Sequence, residues 1–192
     1  MTRILPAGTV TLVVGCLLLT AASLAADPQG IPPETVADYL HSVIEADRTF
    51  YTIHVVERLQ KSGGTMAAED WRAKKDVLPL PAQFLIESSE LAATTGSKIR
   101  YRLISLWPIN PNNAPDGPTE KAGLETLREH PERSVTRTVK RGGQSYFQAI
   151  YADRAVSPTC VACHNSHPHS PRTDFSMHDV MGGLVIELPL EK

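Results

Sequence analysis

The run "SVTRTVKRGGQSYFQAIYAD", residues 134–153, constrains the fold more than any other part of this chain. Apolar and polar residues alternate on both sides of Gly142-Gly143, the pattern of two half-buried strands joined by a tight turn. An isolated hairpin is marginal in water, so its apolar face needs further strands and a covering layer. The rest of the chain has to supply them.

Two further stretches read as strands: "KIRYRLIS" at 98–105 and the apolar "GGLVIELPL" at 182–190. Helices come from elsewhere. "PPETVADYLHSVIEADRTFYTIHVVERLQ", from Pro32, reads as one long helix, with prolines at its entry and Glu34 in its first turn. Val36, Leu40, Val43 and Ile44 mark its apolar stripe, continued by Phe50, Ile53, Val56 and Leu59. "KSGG" ends it. A second helix is expected from Pro81 to about Thr95, stopped by Gly96, and a short amphipathic one over "TEKAGLETLREH". Prolines and asparagines exclude regular structure from "WPINPNNAPDGP". The order is helix, helix, strand, helix, hairpin, cysteine loop, strand. It predicts an α+β domain, an antiparallel sheet with helices to one side, namely a long N-terminal helix and flanking helices.

The N-terminus reads as export. Arg3 precedes an uncharged run from Ile4 to Ala26, and small Ser23 and Ala25 suit cleavage before Ala26. Residues 1–25 are therefore expected to be a signal peptide, with 26–192 as a single domain. An uncut membrane anchor and a lipoprotein cut at "VVGC", Val13–Cys16, are the rivals. All three place the domain outside the cytoplasm, in the periplasm of a bacterium. A formal net charge of -2 gives no electrostatic reason to expect nucleic acid as a partner.

Cysteine usage narrows the chemistry. Cys16 belongs to the targeting segment, which leaves Cys160 and Cys163 in "CVACHNSHPHSP". C-x-x-C-H is the attachment signature of c-type haem. Three residues apart on a helical turn, the two thiols can face one edge of a porphyrin and add to its vinyl groups. His164, four after Cys160, can then bind the iron as proximal ligand. Zinc held by Cys160, Cys163 and two of His164, His167 and His169 is an alternative, as is a C-x-x-C redox disulfide, although no thioredoxin-like βαβ pattern surrounds it. His167 and His169 read as solvated loop residues, His130 as a cation closing a helix and His178 as a loop residue.

The position opposite His164 decides the behaviour of the iron. His54, on the long helix four after Phe50 and three after Tyr51, is the leading candidate metal ligand. His41, Met66, Met177 and Met181 are the others, beside a site with no protein ligand. Arg100, Arg102 and Arg172 border the motifs and are candidate propionate donors.

At this point the sequence resembles a known family. "CVACHNSHPHSPRTDFSMHDVMGGLVIELP", "LPLPAQF", "RLISLWPINPNNAPD" and "YTIHVVERL" are similar to a bacterial c-type haem family with a PAS-like fold. That domain occurs alone or as the extracytoplasmic input module of histidine kinases and nucleotide cyclases. The resemblance covers residues 34–190. It implies a PAS-like sheet and one covalent haem c on Cys160 and Cys163 with His164 on the iron. A basic residue often precedes the family's Asn-Pro pair; here it is Ile109, so no propionate role carries over to that loop. A cysteine distal ligand associated with the family has no counterpart in residues 26–192.

The expectation is an extracytoplasmic mono-haem cytochrome that transfers single electrons and is not an enzyme. A haem-based redox or gas sensor acting through a membrane signalling protein is the alternative. No kinase, cyclase or receptor segment follows Lys192, which favours the cytochrome and a redox partner protein. Contact with the membrane is expected only if the N-terminal segment stays uncut or is lipidated. A peroxidase would need a distal acid–base residue, and the sequence designates none.

Overall fold

A computed structural model describes residues 30–63 and 66–190 of the chain. The signal segment expected at 1–25 lies outside the described residues. Among them, no helix is long and apolar enough to cross a membrane.

The long N-terminal helix begins as α1, Pro33–Phe50, continues as a π-helix over Tyr51–Glu57 and closes as α2, Arg58–Lys61. Its length is as the sequence predicts; its change of register is not. Thr52, Ile53, Val55 and Val56 crowd this stretch with β-branched side chains, which fit poorly against an α-helical turn. α3, Pro81–Ala93, starts where the Gln83 side chain accepts a hydrogen bond from the Leu80 N–H at 2.9 Å. α4 spans Gly117–Glu129 and α5 spans Pro158–Ser166.

The strands are β1, Arg100–Ile104; β2, Val135–Arg141; β3, Gln144–Arg154; and β4, Val180–Pro189. They form a four-stranded antiparallel sheet in the order β1-β4-β3-β2. This is the α+β class expected, but the helices cover both faces of the sheet and not one side, because the central strands carry apolar residues on each face. The hairpin turns at Gly142 and Gly143, both at positive φ, where a side chain would be strained. The last strand in sequence sits inside the sheet, so its apolar run is explained by burial on both faces.

Alternation sends the sheet's residues to two cores. α1 and α3 cover one face, where Ala37 and Leu85 pack on Leu103, Tyr151, Leu184 and Ile186. α4 covers the other, with Leu124 and Leu127 on Ile104, Ile150 and Val185. Gly183 faces this second core, where a Cβ would lie 2.9 Å from both Leu124 and Ile150, and at neighbouring Gly182 a Cβ would lie 2.4 Å from the Ile104 carbonyl oxygen, a backbone atom that cannot yield. Beside α4 lies a buried ionic network. Glu120 is 0% exposed and accepts two hydrogen bonds from Arg102 Nη2, at 2.6 and 2.7 Å. Arg137 also reaches Glu120, Arg141 holds Glu187, and Gln148 bridges both carboxylates.

Candidate functional site

Cys160, Cys163 and His164 lie on α5, so the segment expected as a cysteine loop is a helix. Local chemistry explains it. Ser157 is the N-cap, its Oγ accepting from the Thr159 N–H at 3.1 Å, and Pro158 supplies a preset φ in the first turn. At the other end the His167 N–H donates to the Cys163 carbonyl at 3.0 Å. One turn thus presents both sulfurs and the imidazole together.

Cys160 is half-buried among Ala155, Phe175 and Met181, with Trp107 alongside, whereas Cys163 is exposed. Both are free thiols. Desolvation raises both thiols above their usual range, and at the more open Cys163 the neighbouring Cys160 and Glu69 add to it, so both carry protons at neutral pH. Burial also holds His164 below the ordinary imidazole value, against the opposing pull of Asp153. Its ring meets Phe175 edge-on, with centroids 5.9 Å apart, and its Nδ1 is buried without a hydrogen-bond partner. A neutral imidazole with an unsatisfied buried nitrogen is a ligand available to a metal.

The surrounding segments are pinned. Asn165 accepts from the Phe175 N–H and donates to the Phe175 carbonyl, both at 2.9 Å. Arg172 lies over the rings of Trp107, at 4.7 Å, and Phe175, at 4.4 Å. On the opposite side the ladder between β3 and β4 slips at Asp153/Arg154, and the chain turns toward Ser157. Asp153 takes a two-pronged ion pair from Arg48 of α1. Ser157 Oγ donates to Glu57 of the π-helix.

The structure gathers some of the expected residues and separates others. His54 is exposed and rests against Phe50, at 4.8 Å between centroids, while Tyr51 turns inward and stacks on Phe84 at 4.5 Å. The π register thus splits the shared face on which His54 was expected. His41 lies inward, stacked on Tyr151 at 4.0 Å and beside the Arg48–Asp153 pair. Met181 is buried in the cluster that holds Cys160; Met66 and Met177 are exposed. Arg172 adjoins His164 through Phe175, but Arg102 is committed to Glu120, and Arg100 lines a separate cleft of about 600 Å³ beside α3 and β1. His167 reaches toward Glu69 at 3.9 Å, and among the described residues no group of three His, Cys, Asp or Glu side chains is assembled to hold a metal ion. Sequence reasoning missed Arg48 and Glu57. The signal for Arg48 was a charge on the inward helical face it shares with Ala37 and His41.

Fold and site together define an α+β domain that carries a C-x-x-C-H turn on a capped helix against the end of its sheet. The chain belongs to the Tll0287-like family, whose model matches residues 33–189. A solved structure, the crystal structure of the cyanobacterial heme-protein Tll0287, aligns with 84% of this chain and 99% of its own at 18% identity and a TM-score of 0.49. No curated protein matches the sequence.

Proposed function

We propose that this protein is an extracytoplasmic mono-haem c-type cytochrome that passes single electrons to and from a redox partner protein, without enzymatic turnover. The observation that carries this reading is the α5 turn, with two protonated free thiols and a neutral, unsatisfied imidazole on one short segment. The donor set fits haem c. Cys160 and Cys163 would hold the group through two thioether bonds, which their protonated thiols can form without a net change of oxidation state. His164 is the residue that would hold the iron. Haem supplies a reversible one-electron couple; the protein sets its potential through ligand orientation and burial. Cys163 is exposed, so a group held there would be open to the approach of a partner, which supports electron transfer. The export segment expected at 1–25 supports a periplasmic location, where such attachment is made.

A second reading, a redox or gas sensor acting through a membrane signalling protein, is favoured by a different observation. Arg48 and Glu57 tie the chain leading into α5 to the long N-terminal helix, an element able to carry movement away from the site. Optical spectra of purified holoprotein, with and without carbon monoxide, separate the two. An unchanged ferrous spectrum under carbon monoxide is the result expected of the cytochrome. Rapid formation of a carbon monoxide adduct would contradict it and support the sensor. His54→Ala and His41→Ala, read by the same spectra, identify or eliminate each as distal ligand.

A further inference from the structure

The nature of the π-helix bears on the site. In an α-helix each residue advances by about 100°, so Arg48 and Glu57 would stand on opposite faces. In the π-helix Tyr51–Glu57 the turn is wider, with about 4.4 residues per turn and about 82° per residue. Glu57 then comes to within about 70° of Arg48. Ala37, Arg48, Thr52 and Val56 fall within about 20–30° of one line, in agreement with the burial of Ala37, Thr52 and Val56. His54 falls about opposite Arg48, in agreement with its exposure. The register thus turns both Arg48 and Glu57 toward residues 153–157.

That segment leads directly into the C-x-x-C-H turn, and the helix grips it at both ends. Arg48 holds Asp153 at the bulge; Glu57 holds Ser157 at the helix cap. Ser157 is 1% exposed and is used twice, donating through its hydroxyl to Glu57 and accepting from the Thr159 N–H. Fixing the Ser157 rotor fixes where the first turn of α5 begins, and hence where His164, seven residues on, is presented. Lys61 donates to Oε1 of Glu57 and leaves Oε2 for Ser157.

We infer that Glu57 is a positioning residue for the His164 imidazole, acting through Ser157, and that the π-helix is the backbone register that lets it do so. Because the role concerns an iron ligand, it rests on the haem reading. Its structural part can be read without haem.

The test compares Glu57→Leu, Glu57→Gln and Ser157→Ala with Ser157→Thr, which keeps the hydroxyl, and Lys61→Ala, which spares the Ser157 bond. In haem-free chains, Glu57→Leu and Ser157→Ala should accelerate amide hydrogen exchange over Pro158–Ser166, with a smaller effect from Glu57→Gln. In holoprotein the same variants should keep covalent haem but shift the ferric EPR g values and the reduction potential. Ser157→Thr should restore both, and Lys61→Ala should leave them near wild type. Variants that lose thermal stability while exchange, g values and potential stay at wild type would overturn the inference and reduce the bond to a structural one. If Glu57→Leu fails to fold, the Ser157→Ala and Ser157→Thr pair decides the same question. Failure of the wild-type chain to take up haem would overturn the haem reading instead, leaving the exchange result to judge the Glu57–Ser157 link.

Discussion

Two polar regions of this domain answer burial in opposite ways. Beside α4, Glu120 and Glu187 are buried, and Arg102, Arg137, Arg141 and Gln148 satisfy them within the chain. On α5, His164 Nδ1 is buried without a partner, and the two cysteines on the same helix are free thiols. The first region is closed: its charges are neutralised by its own residues, and it holds the N-terminal end of α4 to the sheet. The second is open, because its unsatisfied groups lower stability until something binds them. The contrast separates a structural site from a functional one better than polarity alone does.

The largest test of this contrast is Glu120→Ala. Removing one member of the closed network leaves buried partners uncompensated, with an expected loss of about 3–5 kcal/mol in denaturant unfolding. Attachment chemistry at Cys160 and Cys163 should survive in the molecules that fold. His164→Leu in haem-free protein should act the other way. It removes an unsatisfied buried nitrogen, so unfolding free energy should hold steady or rise by about 1 kcal/mol. A large destabilisation would show that the imidazole is structural and blur the comparison.

Acid titration sharpens it further. Bonds from Lys61, then from Ser157, hold the Glu57 carboxyl below its ordinary value of 4.5. A carboxylate depressed in the folded state stabilises above the unfolded value, and that contribution fades as pH falls through the folded one. Stability should therefore decline on acidification below about pH 4.5, and Glu57→Gln should remove that part of the slope. The smallest effect belongs to Cys163→Ser. This exposed thiol holds nothing in the bare chain, so stability should change by no more than about 0.5 kcal/mol.

How much of this was legible beforehand depends on the range of the interaction involved. The β2–β3 hairpin could be read from alternation around Gly142-Gly143, and α3 from Pro81 and Gly96, because turn chemistry is local. The C-x-x-C-H turn was legible for the same reason, although Ser157, the cap that makes it a helix, went unread. The π-helix was not legible, since the β-branched residues of "YTIHVVE" weaken an α-helical turn without specifying a wider one, and the helix's tertiary contacts with α3 and Ser157 lie far away in sequence. That shift turned Tyr51 inward and left His54 outside, against the face expected for the pair. Arg48 and Glu57 were missed because their partners lie 105 and 100 residues away in sequence. Arg102 was expected to serve a cofactor and is instead bound to Glu120, a carboxylate whose burial depends on how α4 meets the sheet.

The most direct test of the central claim is the intact mass of the purified chain under denaturing conditions, after export alongside a working haem-attachment system. A chain carrying one haem, lost in Cys160→Ala/Cys163→Ala, is the predicted result. A bare polypeptide mass in the wild type, or zinc in place of iron on elemental analysis, would contradict it.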